Sequence, residues 1–250
     1  MSWAVRFLGV GNAAAPALGN ASVVIERDGE PMLMIDCGPL AIDAYCRQYG
    51  GPPRALFITH CHFDHIGGME TLFARVRFGA AVVSPQVFVP STLIAVLHAR
   101  VGEYPGVTAE GGCNFWDPFR LLPVVDRFWL DGQRFQVFPV RHGPPGSAFG
   151  LRLPGSLVYT GDTRPIVEVL RQVADQGERI AHDCDLHGNP AHSGLDELQR
   201  DYPQDLLDRL LLYHYANADA GAAMAARGFA VAEQGAIYAL AEPLASETPA

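Results

Sequence analysis

No stretch of this 250-residue sequence approaches the roughly eighteen consecutive apolar residues of a membrane span. Its start, Met1 to Val10, has neither a basic region ahead of a long apolar run nor a small-residue cleavage site. A soluble, cytoplasmic protein with no membrane attachment is the expectation. Positive charge is scarce as well: 18 Lys and Arg against 27 Asp and Glu leave a formal charge of −9. Such a chain lacks the basic footprint that a phosphate backbone demands, which argues against nucleic acid as a partner and for a small-molecule substrate. The five cysteines, Cys37, Cys46, Cys61, Cys113 and Cys184, are odd in number and form no CxxC pair. That excludes a Cys-rich zinc knuckle and points to reduced thiols. Where a dinucleotide-binding GxGxxG would follow the first strand, Gly9-Val10-Gly11-Asn12 stands instead. Internal repeats and low-complexity linkers are also missing. With 49% apolar residues, 1–250 reads as one well-packed domain.

What the chain does have is a dense loop, Thr59-His60-Cys61-His62-Phe63-Asp64-His65, between the apolar run Ala55-Leu56-Phe57-Ile58 and Gly67-Gly68. In an extended segment alternate residues share a face, and a following helical turn brings round the rest, so His60, His62, Asp64 and His65 can aim at one place. Cys61, between two of them, points to the opposite face. Three later apolar strands also end on a ligand type: Gln133 to Val140 leads to His142, Ser156 to Thr160 to Asp162, and Arg209 to Tyr213 to His214. One ion does not need so many donors, whereas two ions sharing a carboxylate do. The set divides into His60, His62 and His142 for one ion and Asp64, His65 and His214 for the other. Asp162 is then the bridge between ions about 3.5–4 Å apart. Two divalent metal ions per chain are expected, zinc first and manganese or iron next, since imidazole-rich sites suit all three.

Elsewhere strands and helices alternate, an α/β rhythm. Trp3 to Leu8, Ala21 to Glu26 and Pro31 to Ile35 read as strands, the last two joined by a turn at Asp28-Gly29. Leu40 to Tyr49 and Gly68 to Phe78 carry helical spacing, with Met69, Leu72, Phe73 and Val76 on one face. Ala80 to Ser84 is expected as a strand, and Ser91 to Val101 as a helix capped by Ser91 in which His98 is structural. Glu103 to Asp117 is rich in Gly, Pro and polar residues, with Phe115, Trp116, Phe119, Phe128 and Trp129 crowding its far side; the aromatics read as core, with a lid or pocket wall formed by this stretch as the alternative. Phe149 to Leu153 and Glu178 to Ala181 follow as strands and Ile166 to Ala174 as a helix. Then come a polar loop from His182 to Ser193, a small-residue helix from Ala216 to Arg227, and a closing hairpin from Phe229 to Leu240. Ser246 to Ala250 reads as frayed.

Thr59 to His65, His142, Gly161-Asp162-Thr163 and His214 together resemble the ligand set of the metallo-β-lactamase fold hydrolases. The resemblance runs from Phe7-Leu8-Gly9 to the last hairpin. It implies an α/β, four-layer αββα sandwich with a dimetal site at one end of two packed sheets, on which many chemistries have been built. Phe149-Gly150-Leu151-Arg152-Leu153, Gly161-Asp162-Thr163-Arg164-Pro165, His182-Asp183, His192-Ser193 and Leu212-Tyr213-His214 follow the order found in RNase Z and in the cyclic phosphodiesterase of the carbon-phosphorus lyase pathway. In that branch an acidic residue and a histidine assist at the scissile phosphate. By position these are Asp183 and His192, with His182 and His187 as the other histidines of that stretch. Two departures matter. His142 and Asp162 lie 20 positions apart, leaving no room for the tRNA-gripping arm of RNase Z, and the N-terminal Cys-rich zinc site of the cyclic phosphodiesterase is missing.

The expected activity is a dinuclear metal-dependent hydrolase, a phosphodiesterase acting on a small or medium phosphodiester through a metal-bridging hydroxide. Asp64, His192 and Asp183 are the catalytic candidates. Asp64 would orient the nucleophile or take its proton, and His192 would protonate the leaving oxygen or bind the anion. A thioesterase or lactonase of the glyoxalase II type and a di-iron oxygen-dependent oxidoreductase use the same ligands and stay open, as does a homodimer. Arg141, Arg152 and Arg164 could hold a phosphate, although arginines at loop ends more often pair with surface carboxylates.

Overall fold

In the computed structural model, which describes residues 1–79, 83–102, 107–108, 111–175 and 177–245, strand β1 (Trp3–Gly9) pairs antiparallel with β2 (Ser22–Arg27), and β2 with β3 (Glu30–Ile35). Asp28 and Gly29 turn that second hairpin with φ of 55° and 82°, the left-handed pair that a two-residue turn requires. Next come α1 (Ala41–Tyr49), β4 (Ala55–Phe57), α2 (Phe63–Ile66), α3 (Met69–Phe78), β5 (Gln86–Pro90) and α4 (Ile94–Val101). A small ribbon follows, β6 (Val107–Thr108) with β7 (Gly111–Gly112). The strands β8 (Arg120–Val124), β9 (Arg127–Leu130), β10 (Gln133–Pro139), β11 (Phe149–Leu153) and β12 (Leu157–Tyr159) lead to α5 (Val167–Val173) and β13 (Arg179–Asp183). The chain then forms α6 (Leu195–Asp201), α7 (Gln204–Leu207), β14 (Leu210–Tyr213), α8 (Ala218–Ala226), β15 (Ala230–Val231) and β16 (Ile237–Leu240).

Two seven-stranded mixed sheets result, in the orders β16-β1-β2-β3-β4-β5-β8 and β15-β14-β13-β12-β11-β10-β9. Alternation along each strand decides which layer a side chain joins. From the first sheet, Val5, Phe7, Val23, Ile25, Leu33, Ile35 and Phe57 face the second sheet's Phe135, Val137, Leu151, Tyr159 and Tyr213. Their neighbours Leu8, Val24, Met34, Leu56, Val87 and Val89 face outward onto Ile42 and Tyr45 of α1, Leu72 and Phe73 of α3, and Leu97 of α4. The far side of the second sheet is covered by α5 and α6 through Leu170, Leu195 and Leu198. This is the four-layer αββα sandwich, and each fully buried phenylalanine in it is worth about 1.5–3 kcal/mol of transfer free energy.

Several local expectations are corrected. Residues 80–82 lie outside the described residues, Val83 and Ser84 are not in a strand, and strand pairing starts beyond Pro85, at Gln86. Ser91 does not cap α4: it sits within a short 3-10 turn, Ser91–Leu93, and its hydroxyl donates to the Val124 carbonyl at 3.0 Å. His182 and Asp183 belong to β13 rather than to a loop. The apparent closing hairpin is no hairpin, because β15 joins β14 in one sheet while β16 joins β1 in the other. Phe115 and Phe119 pack on Phe73 beneath α3, and Phe128 stacks between Phe88 and Phe135, so these aromatics are core. The lid stretch at 103–106 and 109–110 lies outside the described residues. All five cysteines are free thiols, and Cys61 points away from the histidines toward the Leu93 carbonyl. Among the described residues no helix is long and apolar enough to cross a membrane.

Candidate dimetal centre

Every predicted ligand reaches one edge of the sandwich, carried there by a strand end. His60 follows β4, and its loop is tied to the other sheet, since the Phe149 N–H donates to the Thr59 carbonyl at 3.0 Å. His62, Asp64 and His65 straddle the start of α2. His142 follows β10, Asp162 follows β12 and His214 follows β14. Gly161, with φ of 64°, precedes Asp162 at a point where a Cβ would lie 3.0 Å from the Phe149 carbonyl oxygen and 3.2 Å from the Thr59 Cβ. His214 takes φ of 72° and Asp36 takes φ of 61°. Left-handed backbone at non-glycine residues costs about 1–3 kcal/mol and concentrates at functional sites.

The Asp162 carboxylate divides between two groups of donors. Its Oδ2 lies 3.6 Å from His60 Nε2 and 3.7 Å from His142 Nε2, and His142 Nε2 is 2.9 Å from His62 Nδ1. Its Oδ1 lies 3.3 Å from both His65 Nε2 and His214 Nε2, each of which is 3.5 Å from Asp64 Oδ2. Within each group, one donor atom per residue lies within 4.8 Å of all the others. Two clusters with a shared carboxylate are what a bridged pair of cations would use.

The donors' chemistry fits such cations. His60 Nε2, His65 Nε2, His214 Nε2 and Asp162 Oδ1 are buried without a hydrogen-bond partner among the described residues. An unsatisfied buried polar atom costs about 1–3 kcal/mol, and four of them facing two points are explained by an ion at each. Burial and the neighbouring imidazolium of His65 push the His60 pKa well below its ordinary value, toward the neutral form that binds metal. Burial opposes charge on Asp162, yet His214, His65 and His60 hold its carboxyl well below the usual range. Burial likewise disfavours the His214 cation, but Asp162 and Asp183 carry its pKa up to about 10. The carboxylates thus demand positive charge, which a dication supplies by displacing protons. Imidazole-rich donors of this kind suit zinc, manganese and iron.

Opposite the donor nitrogens of His142, His65 and His60, a polar partner fixes the ring. His142 Nδ1 donates to the Ala191 carbonyl at 2.9 Å. His65 Nδ1 meets Asp36 Oδ2 at 2.7 Å, and the Thr59 hydroxyl donates to the same oxygen at 2.7 Å while lying 3.0 Å from His60 Nδ1. Asp36 is a functional residue that the sequence reading passed over. It immediately follows the apolar strand β3, as His214 follows β14, so the same strand-end signal marks it.

The three histidines near Asp183 separate cleanly. His182 is buried in β13, with Nδ1 on the Asp183 carbonyl and Nε2 2.7 Å from the Tyr202 hydroxyl, away from the donors. His187 is exposed. His192 alone turns to the centre: its Nδ1 lies 2.9 Å from Asp183 Oδ2, and its ring stacks on His214 at 4.8 Å. Burial disfavours the His192 cation, but the hydrogen bond to Asp183 and the negative charges of Asp183 and Asp162 together outweigh it and raise the pKa. Asp162, Asp183, His192 and His214 also cluster within 4.8 Å, though Asp183 Oδ2 and His192 Nδ1 already pair with one another. None of the three arginines is left for a phosphate: Arg141 pairs with Glu168, Arg152 with Glu178 and Asp175, and Arg164 with Glu197.

Beside the centre lies a cavity of about 440 Å³, walled by His62 and His142 on one side and by Leu93, Val96, Pro144 and Pro145 on the others. That volume falls within the roughly 300–1,000 Å³ of small-ligand pockets.

Comparison with known proteins gives a consistent result. The family model described as Anti-Pycsar protein Apyc1 matches residues 3–238. A protein of that name from Saccharibacillus brassicae is 32% identical over 223 residues, covering 85% of this chain and 90% of its own. Among solved structures, a diphosphatase of the PhnP family superposes with a TM-score of 0.75 at 17% identity, covering 94% of this chain and 97% of its own. The metallo-β-lactamase fold protein YhfI from Bacillus subtilis superposes with a TM-score of 0.71 at 13% identity, covering 96% and 100%. The metallo-β-lactamase fold expected from the ligand pattern is therefore the fold of this chain.

Proposed function

The chain belongs to the Anti-Pycsar protein Apyc1 family, and from that premise we propose that it is a dinuclear metal-dependent phosphodiesterase whose substrate is a small phosphodiester of cyclic-mononucleotide size. One observation carries the reading: His192 is held by Asp183 beside the bridging carboxylate, where a proton donor serves a poor leaving group. Ring opening of a cyclic nucleotide expels a ribose alkoxide, whose pKa is too high for it to depart unprotonated. The cavity of about 440 Å³ and the short connection between His142 and Asp162 support a small substrate.

His60, His62, His142, Asp64, His65, His214 and Asp162 would hold two divalent cations, zinc first. These would supply Lewis-acid charge and, by lowering the pKa of water, a hydroxide nucleophile near neutral pH. The chain's own groups do the rest. Asp64, facing the same point as His65 and His214, orients the attacking water or takes its proton. His192 keeps its Nδ1–H on Asp183 and gives the proton on Nε2 to the departing oxygen, so that one water is added across one P–O bond and a phosphomonoester results. Leu93, Val96, Pro144 and Pro145 offer an apolar wall to the organic part of the substrate.

The test is a parallel assay of the zinc-loaded protein on a cyclic mononucleotide, a thioester and a lactone. Phosphomonoester formation should dominate. Faster cleavage of the thioester or lactone would return the site to an acyl hydrolase.

A further inference from the structure

Arg164 stands two residues after Asp162, and its guanidinium gathers one loop of the protein. Nη1 donates to the Asn189 carbonyl at 2.7 Å, to the His192 carbonyl at 2.9 Å and to Glu197 Oε2 at 2.7 Å, while Nη2 donates to Glu197 Oε1 at 2.5 Å. Glu197 Oε2 also accepts the Gly194 N–H at 2.9 Å, at the start of α6. The loop closes tightly over this carboxylate: a Cβ on Gly188 would lie 2.0 Å from Glu197 Oε2. Within the loop, Asn189 Oδ1 accepts the Ala191 and His192 N–H groups, and the Ser193 hydroxyl donates to the Thr163 carbonyl at 2.7 Å.

An Arg–Glu pair near a surface contributes about 0–1 kcal/mol and usually needs no further role. Here the same fork reaches the backbone of His192 itself, and only a planar guanidinium can hold two carbonyls and a bidentate carboxylate together. We propose that Arg164 is a positioning residue which, through the Asn189 and His192 carbonyls and Glu197, fixes the loop that aims His192 at the leaving oxygen. The proposal rests on the general-acid reading of His192. A displacement of about 1 Å in such a group costs on the order of 10²-fold in rate, which makes the fork consequential although it never meets substrate.

The test compares zinc-loaded Arg164→Met, His192→Ala and the double variant, each checked for metal content, on a cyclic mononucleotide and on bis-(p-nitrophenyl) phosphate. Arg164→Met should lower kcat on the cyclic nucleotide by about 10²-fold with little change in KM, and should lose far less on the aryl ester. The double variant should fall no further than His192→Ala, because one residue acts through the other. Arg164→Lys should recover only part, having no fork. Equal losses on both esters, or losses that multiply in the double variant, would overturn the proposal. Nitrogen-15 NMR of the imidazoles reports independently. The His192 Nδ1–H signal should shift or vanish in Arg164→Met, and an unchanged signal overturns the positioning role. Should His192→Ala show no leaving-group preference, the general-acid reading falls, and this signal alone decides whether Arg164 positions the ring.

Discussion

Asp183 Oδ2 lies 2.9 Å from His192 Nδ1, and the other oxygen of the same carboxylate is 3.4 Å from His214 Nδ1. One buried carboxylate thus lies against both the histidine proposed to face the leaving group and a histidine of the second donor cluster. Burial opposes its charge, but His214 and His192 keep its pKa below the ordinary value, so Asp183 stays ionised between the two rings. Under the proposed function, this arrangement would couple the second donor cluster to proton donation through Asp183.

The seven donors make the first prediction. His62 is exposed, so His62→Ala should leave the chelated protein's thermal transition within about 0.5 kcal/mol of wild type while abolishing tight binding of one ion. Asp162→Ala should weaken both ions, since each side of its carboxylate faces one cluster. Metal analysis after dialysis checks this, and two ions bound at wild-type affinity in Asp162→Ala would rule out the bridge.

Asp36 supports one donor in each cluster, His65 directly and His60 through the Thr59 hydroxyl. Removing such partners typically costs 10–100-fold in metal affinity. Asp36→Asn should weaken both ions by about that factor, and Thr59→Val chiefly the ion at His60, His62 and His142. Chelator competition distinguishes them; identical effects would mean that Thr59 and Asp36 act only on the fold.

How far all this was legible depends on range in sequence. His60, His142, Asp162 and His214 are readable because each lies within three residues of the end of an apolar strand, which confines where the side chain can go. Asp36 obeys the same rule after Ile35, but its effect comes from His65, 29 residues away, and no local pattern shows that distance. Ala230–Val231 and Ile237–Leu240 look like a hairpin because a turn separates them, whereas their partners, β14 and β1, are decided by the sandwich. Leu195, Leu198, Tyr202 and Leu206 carry the spacing of α6 and α7, a stretch beyond the polar loop that ends at Ser193 and for which no element is expected from the sequence. A carboxylate partner for Arg164 follows from its place at a loop end, but its hold on the His192 carbonyl is visible only in three dimensions.

Glu197 gives a pH dependence of stability. The hydrogen bond from Arg164 holds its pKa below the ordinary value. A carboxyl with a depressed folded pKa contributes stability that is complete above its unfolded pKa, about 4.3, and is lost as pH falls through the folded value. Glu197→Gln should therefore be slightly less stable than wild type at pH 7, by under about 1 kcal/mol for a partly exposed pair. The difference should shrink toward pH 3. Urea unfolding at both pH values measures it; a gap that widens on acidification would contradict the pairing.

Substrate size gives another expectation. With a −9 charge and only 20 positions between His142 and Asp162, a tRNA precursor should be cleaved far more slowly than a cyclic mononucleotide. Comparable kcat/KM for the two would remove the small-substrate assignment.

The central claim is that His192 delivers a proton to a poor leaving group in phosphodiester hydrolysis, and its most direct test is the turnover of zinc-loaded His192→Ala on two esters. General-acid assistance is worth roughly 10²- to 10⁴-fold where the departing oxygen is an alkoxide, and little where it is p-nitrophenolate. The variant should retain both ions, lose about that factor on a cyclic mononucleotide, and stay near wild type on bis-(p-nitrophenyl) phosphate. Equal losses on the two, or none on either, would contradict it.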